Sequence, residues 1–274
     1  MPIKHIGPAR IPNLGLGTFQ TDAGKTAEIV EQALKEGYRH IDTAQAYGNE
    51  AEVGEGIRAS GVPRDEIFLT TKIMPDRHAA DDFRKAAEES LEALDVGHID
   101  LLLLHWPSKS VPLKETLPVL DALIDEGHVR FGGVSNFTIA HLEEAKSVMN
   151  HPIAANQVEF HPFVDQRNLM AALDAMQIPW EAYSPLARGN VLQDDTMKEI
   201  AAAHDANPAQ ISVAWILAKG GVAIPKTANK DRLADNLASA QIKLSDDEIA
   251  RIDGLRQGNG RLISPDNMAP DWDD

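Results

Sequence analysis

The chain has 274 residues, 43% hydrophobic and 25% charged, enough for one large core and close to the length of an eight-fold α/β barrel. It contains no cysteine, which excludes disulfides, thiolate metal sites and thiol nucleophiles. A formal net charge of −16 argues against a nucleic-acid or anionic-membrane partner, since phosphate surfaces demand a cationic face.

Residues 1–13 hold Gly7-Pro8 and Pro12 between short apolar pieces, which predicts a small hairpin or plug ahead of the main fold. No secretion-signal core precedes it and no apolar run is long enough to span a bilayer, so a cytoplasmic location is expected. Residues 14–18 read as a glycine-loosened strand. The helix after it carries Ile29, Val30, Ala33 and Leu34 on one face and stops at Gly37. A short strand then leads to Asp42, and Tyr47 falls in the loop beyond. Asn49, with Glu52 three residues on, has the spacing of a capping box.

Strand and helix alternate from there. Residues 67–72 are strand-like, and Ala87, Leu91 and Leu94 mark the helix that follows. The near-continuous apolar run of 99–107 suits a strand buried on both faces of a parallel sheet. Leu117, Leu120, Leu123 and Ile124 define the next helix, closed by Gly127. Strands at 129–136, 154–159, 178–184 and 222–226 complete a count of eight after the hairpin. Two extra helices are expected, one near 209–219 and one opened by Ser245 with Glu248 as its capping partner. No linker or composition shift divides the chain, so 1–274 reads as one domain, a (β/α)8 TIM barrel. An open doubly wound sheet is the competitor. Its G-x-G-x-x-G signature fails at Gln20, and the glycines Gly15 and Gly17 lie inside the strand.

In such a barrel the working residues stand where strands end. Those positions are Asp42, Lys72, His105, Ser135 with Asn136, Gln157, Tyr183 and Lys226, each closing an apolar run. Seven polar strand ends around one mouth would be costly unless they served one another or a ligand. Free tyrosine titrates near pH ~10. An ammonium beside it should lower that value, and a carboxylate should keep the ammonium charged. Asp42, Lys72 and Tyr47 supply such a relay, with His105 free to orient a carbonyl oxygen. Lys72 could instead form a Schiff base as in aldolases, or His105, His161 and Asp42 could hold a metal, although no H-x-H or H-E-x-x-H spacing occurs.

The motifs Gly15-Leu16-Gly17-Thr18, Ile41-Asp42-Thr43-Ala44 with Tyr47, Thr70-Thr71-Lys72, Leu104-His105-Trp106-Pro107, Gly133-Val134-Ser135-Asn136-Phe137, Asn156-Gln157 and Ile224-Pro225-Lys226-Thr227 occur in order. Over essentially its whole length the chain thereby resembles an aldo-keto reductase, nearest the small bacterial members such as 2,5-diketo-D-gluconate reductases. The resemblance implies NADPH as cofactor, a small carbonyl substrate, no metal, and a monomer. It implies Tyr47 as general acid, tuned by Lys72 and Asp42, with His105 orienting the carbonyl. Ser135, Asn136 and Gln157 would hold the nicotinamide carboxamide, with Tyr183 stacked on the ring. Gly17, Thr18, Ser184 and Leu186 would also line the cofactor. Lys226, Thr227 and Arg232 would grip the 2′-phosphate, with Asn236 near the adenine. Independently, two cations and a hydroxyl after the last strand match the phosphate site usual in barrels. Phe19 and Trp106 suggest a partly aromatic substrate pocket. The segment 261–272 is similar to the short C-terminal loop that folds over the mouth in bacterial members. A same-fold cofactor binder without turnover is the remaining alternative.

Overall fold

The computed structural model describes residues 3–258 and 260–273. Strands β1 (His5–Ile6) and β2 (Ile11–Pro12) pair antiparallel as the predicted hairpin. Ile6, Ala9 and Ile11 pack against Phe68, Leu101, Leu103 and Val222, so the hairpin plugs the interior of the sheet that follows.

That sheet has eight parallel strands, each beside its neighbour in chain order. They are β3 (Leu16–Gly17), β4 (His40–Asp42), β5 (Phe68–Ile73), β6 (Ile99–Leu104), β7 (Val129–Ser135), β8 (Asn156–Glu159), β9 (Trp180–Tyr183) and β10 (Val222–Ala223). Parallel bridges Leu14–Ala223 and Gly17–Lys226 join the first strand to the last, and the sheet closes as a barrel. The open-sheet alternative is thereby set aside. Side chains alternate between the two faces. In β6, Leu101 and Leu103 point inward to the hairpin cluster, while Leu102 and Leu104 point outward to the helices. This two-sided burial is why the strand reads as an unbroken apolar run.

Helices α1 (Ala23–Glu36), α2 (Glu50–Ser60), α3 (Ala80–Leu94), α4 (Leu113–Asp125), α5 (Ile139–Val148) and α6 (Arg167–Met176) follow successive strands. Gly37 ends α1 in a left-handed conformation, φ 112°, with its N–H on Leu34 O and that of Tyr38 on Ala33 O. Between β9 and β10 lie α7 (Asp195–Ala203) and α8 (Pro208–Ala218); α9 (Asp231–Ala238) and α10 (Asp246–Asp253) close the chain. The extra helix expected near 209–219 is the one that packs on β10, so α7 is the additional element there. Six consecutive buried residues, Ile211 to Ile216, mark α8 as a barrel helix covered on all sides. The capping box of Ser245 and Glu248 forms as expected. The one expected of Asn49 and Glu52 does not: the Asn49 side chain makes no cap bond. It instead accepts from the Thr43 hydroxyl at 3.0 Å and donates to Thr18 O at 3.0 Å, tying the β3 and β4 loops together.

At the opposite end of the barrel, Asp100 accepts from Arg64 Nη2 at 2.7 Å, Arg130 Nη1 at 3.0 Å and the Leu69 N–H at 3.0 Å. Its carboxylate is buried and holds β5, β6 and β7 in register. Asp100→Ala leaves the buried Leu69 N–H unpaired. It also removes one partner from two part-exposed guanidiniums that keep Ile67 O, His98 O and Asp65, and is expected to cost about 1–3 kcal/mol of stability. Urea unfolding would show that loss, with kcat unchanged because the active end is untouched. Among the described residues no helix is long and apolar enough to cross a membrane.

Candidate active site

β4 and β5 set the centre of the site. Period-two alternation turns Asp42 and Lys72 into the barrel, and the register pairs Asp42 with Thr70. Lys72 is fully buried, yet each of its three ammonium protons has an acceptor. Nζ donates to Asp42 Oδ1 at 2.6 Å, to Thr43 O at 2.8 Å and to the Tyr47 hydroxyl at 3.4 Å. Burial works against the charge, but Asp42 and Tyr47 together outweigh it and hold Lys72 above its ordinary value. The ammonium is therefore a permanent cation at the floor of the mouth.

At Tyr47 two influences oppose each other. Burial, the larger influence, raises the phenol above its usual range, and Lys72 only partly draws it back. The proton stays on the phenol at neutral pH. His105 lies beside it, ring centroids 5.9 Å apart. Burial, then Lys72, pushes this imidazole well below its ordinary value, so it is neutral. A neutral imidazole can orient an oxygen but is a poor acid.

The amide groups expected around a cofactor form one connected set. Asn136, at φ 61°, donates to His105 O at 3.0 Å and to Ser135 Oγ at 3.1 Å, and accepts from the Tyr183 hydroxyl at 2.7 Å. Ser135 Oγ donates to Gln157 O at 2.8 Å. Gln157 Nε2 donates to Asp42 Oδ2 at 2.7 Å and to Glu181 Oε2 at 2.8 Å. Thr18 is buried, its hydroxyl on Asp42 O at 3.1 Å, with Gly17 pairing beside Asp42. After β9 the chain takes left-handed conformations at Ser184, Ala187 and Arg188, flanking Leu186. Strain of roughly 1–3 kcal/mol per such residue gathers at functional ends of folds, and no residue type in 184–188 announced it.

Lys226 and Arg232 are exposed, and neither forms an ion pair with a described residue. On a chain of net charge −16, two cations left without carboxylates fit a phosphate group. Thr227 spends its hydroxyl on the turn, donating to Asn229 O at 3.1 Å, and Asn236 is buried in α9 against Tyr38.

Over the mouth, Phe19 is 51% exposed and packs on Tyr47 with ring centroids 5.0 Å apart. The C-terminal segment crosses the ends of β6 to β8 and brings Trp272 to 6.2 Å from Trp106. Its anchor is Glu159, fully buried, which accepts the N–H groups of Leu262 at 2.8 Å and Ile263 at 2.9 Å. His161 accepts the Phe163 N–H on Nδ1 and donates from Nε2 to Glu159 at 2.9 Å, so both ring nitrogens are engaged in bracing this loop. Among the described residues no three histidine or carboxylate groups gather as a metal site.

The model of the aldo/keto reductase family matches residues 13–257. This chain belongs to the aldo/keto reductase family. It is 39% identical over 266 residues to methylglyoxal reductase DkgB of Escherichia coli O157:H7, covering 96% of this chain and 99% of that one. It is 41% identical over 266 residues to the 9,11-endoperoxide prostaglandin H2 reductase of Trypanosoma cruzi strain CL Brener, covering 95% and 93%. A crystal structure described provisionally as a 2,5-diketo-D-gluconic acid reductase B superposes with a TM-score of 0.97 at 40% identity, covering 99% of this chain and 98% of the other. The aldo-keto reductase of Bombyx mori in complex with NADP superposes at 0.85 with 32% identity, covering 90% and 89%. The protein is an NADPH-dependent aldo-keto reductase acting on small carbonyl compounds.

Proposed function

We propose that this aldo-keto reductase converts small aldehydes, α-keto aldehydes and keto-sugars to alcohols, with Tyr47 as the general acid. The observation that carries the reading is the Tyr47 hydroxyl 3.4 Å from a buried Lys72 that is itself paired with Asp42 at 2.6 Å. NADPH, when bound, supplies the hydride. His105 holds the carbonyl oxygen of the substrate, and Tyr47 donates its proton to that oxygen as negative charge develops there. Lys72 stabilises the phenolate left behind, and Asp42 keeps Lys72 charged. A Schiff base on Lys72 is disfavoured, because a lysine held charged by an adjacent carboxylate is a poor nucleophile.

Ser135, Asn136 and Gln157 receive the nicotinamide carboxamide, and Lys226 and Arg232 receive the 2′-phosphate. Relatives named as reductases of methylglyoxal and glyoxal support the substrate class. Phe19, Trp106 and Trp272 give the pocket its aromatic wall. A panel of methylglyoxal, simple aldehydes and diketo-sugar acids, followed by NADPH absorbance, tests the reading. Turnover of the α-keto aldehydes is expected; NADPH binding without its consumption by any of them would contradict it. Arg232→Ala is expected to weaken NADPH by on the order of tenfold or more, the loss of a charge-assisted phosphate contact. NADH, which lacks that phosphate, should change less than twofold. Equal losses, read by fluorescence titration, would remove Arg232 from the phosphate site.

A further inference from the structure

Beneath the mouth lies a buried carboxylate that the mechanism does not use. Glu181, on β9, is fully buried and points into the barrel toward β8 and β4. Its Oε2 accepts one proton of the Gln157 amide at 2.8 Å, while Asp42 Oδ2 accepts the other at 2.7 Å. Its Oε1 has no hydrogen-bond partner among the described residues and stands 3.9 Å from His40 Nε2. A primary amide whose two N–H groups are both held by carboxylates cannot flip, and its carbonyl must face away from them. The consequence is a Gln157 locked as an acceptor for an outside N–H donor.

We propose that Glu181 is a positioning residue for the nicotinamide cofactor: it clamps Gln157 from within the barrel, and its charge sets the preference for oxidised over reduced cofactor. The proposal rests on the cofactor reading given above. A nicotinamide ring is neutral when reduced and cationic when oxidised. A buried anion in the wall of its site therefore favours NADP+ over NADPH. The groups facing Glu181 are few. β4 brings Asp42 and His40, β5 brings Lys72, β8 brings Gln157, and β10 sets Val222 in register beside it. Asp42 and Lys72 act on Glu181 in opposite senses, the Asp42 charge the stronger, and His40, lowered to about 4 chiefly by burial, is neutral. Burial first, then the Asp42 charge, raises Glu181 to about 7. Glu181 is thus placed to change charge across neutral pH.

Glu181→Gln keeps the volume and an acceptor oxygen for Gln157 while removing the charge. Dissociation constants for NADP+ and NADPH would be measured by tryptophan fluorescence from pH 5.5 to 8.5. In the parent, the ratio of the NADP+ constant to the NADPH constant should fall by on the order of tenfold as pH rises through neutrality, the effect of one charge across roughly 10 Å at an effective dielectric of about 20. Titration of the 2′-phosphate cancels in this ratio, since both nucleotides carry it. In Glu181→Gln the ratio should be flat and close to the low-pH value of the parent. A flat ratio in the parent, or an undiminished slope in the variant, would overturn the proposal.

Stability gives a readout without cofactor. With a native pKa above its unfolded value, Glu181 contributes fully below the unfolded pKa, and that contribution is lost as pH rises to about 7. The melting temperature of Glu181→Gln should accordingly gain on the parent between pH 5 and 8. A difference constant with pH would rule out the titration. Failure of the parent to bind either nucleotide would instead reject the cofactor site itself, and a rejected Tyr47 acid would leave both binding ratios as predicted.

Discussion

Tyr47→Phe lowers kcat for NADPH-dependent aldehyde reduction by about 1,000-fold, within the range for loss of a positioned general acid, while NADPH binding stays within about twofold. The change removes one oxygen atom from a half-buried ring packed on Phe19 and beside His105. Little stability is at stake, because the hydroxyl is one of three acceptors around Lys72 and the longest, at 3.4 Å against 2.6 and 2.8 Å. His105 cannot substitute, since its ring is held neutral by burial and by Lys72. Initial rates with saturating NADPH, beside fluorescence titration of the cofactor, separate chemistry from binding. Retained turnover would move the acid elsewhere.

Lys72→Met is expected to damage both folding and chemistry. It leaves the buried Asp42 carboxylate with only the Gln157 amide as side-chain partner. Breaking a buried ion pair from one side costs about 3 kcal/mol or more, and losing the cation that stabilises the phenolate should lower kcat at least 100-fold. The double variant Lys72→Met/Asp42→Leu distinguishes the two effects. Removing both charges should restore most of the stability, because the desolvation cost of each vanishes with its partner. Activity should not return. Recovery of activity along with stability would mean that the pair serves the fold alone.

Much of this site could be read from the chain because a closed parallel barrel brings the ends of distant strands together. Asp42, Lys72 and His105 each terminate an apolar run, and the structure gathers them at one mouth. What stayed hidden depended on partners that spacing does not specify. Asn49 has the look of a helix cap, but the neighbouring loops offered Thr43 and Thr18 as partners, and the side chain went there. Glu159 and Glu181 look like ordinary polar positions in short strands. Only the closed barrel shows that one anchors the C-terminal segment and the other clamps Gln157. Lys72 draws the Tyr47 phenol downward as expected, but desolvation outweighs it: charge neighbours can be read from sequence, and the loss of solvent around the phenol cannot.

The coupling of Tyr47 to Lys72 can be observed directly, because the chain contains only three tyrosines. With the phenol carbon of tyrosine labelled by 13C, nuclear magnetic resonance gives one signal each for Tyr38, Tyr47 and Tyr183, and the first and last report whether the fold is intact. Titrated toward alkaline pH, Tyr47 should ionise earlier in the parent than in Lys72→Met, where the cation favouring the phenolate is gone. Superimposable titration curves in the two proteins, with the other two signals unmoved, would contradict the account.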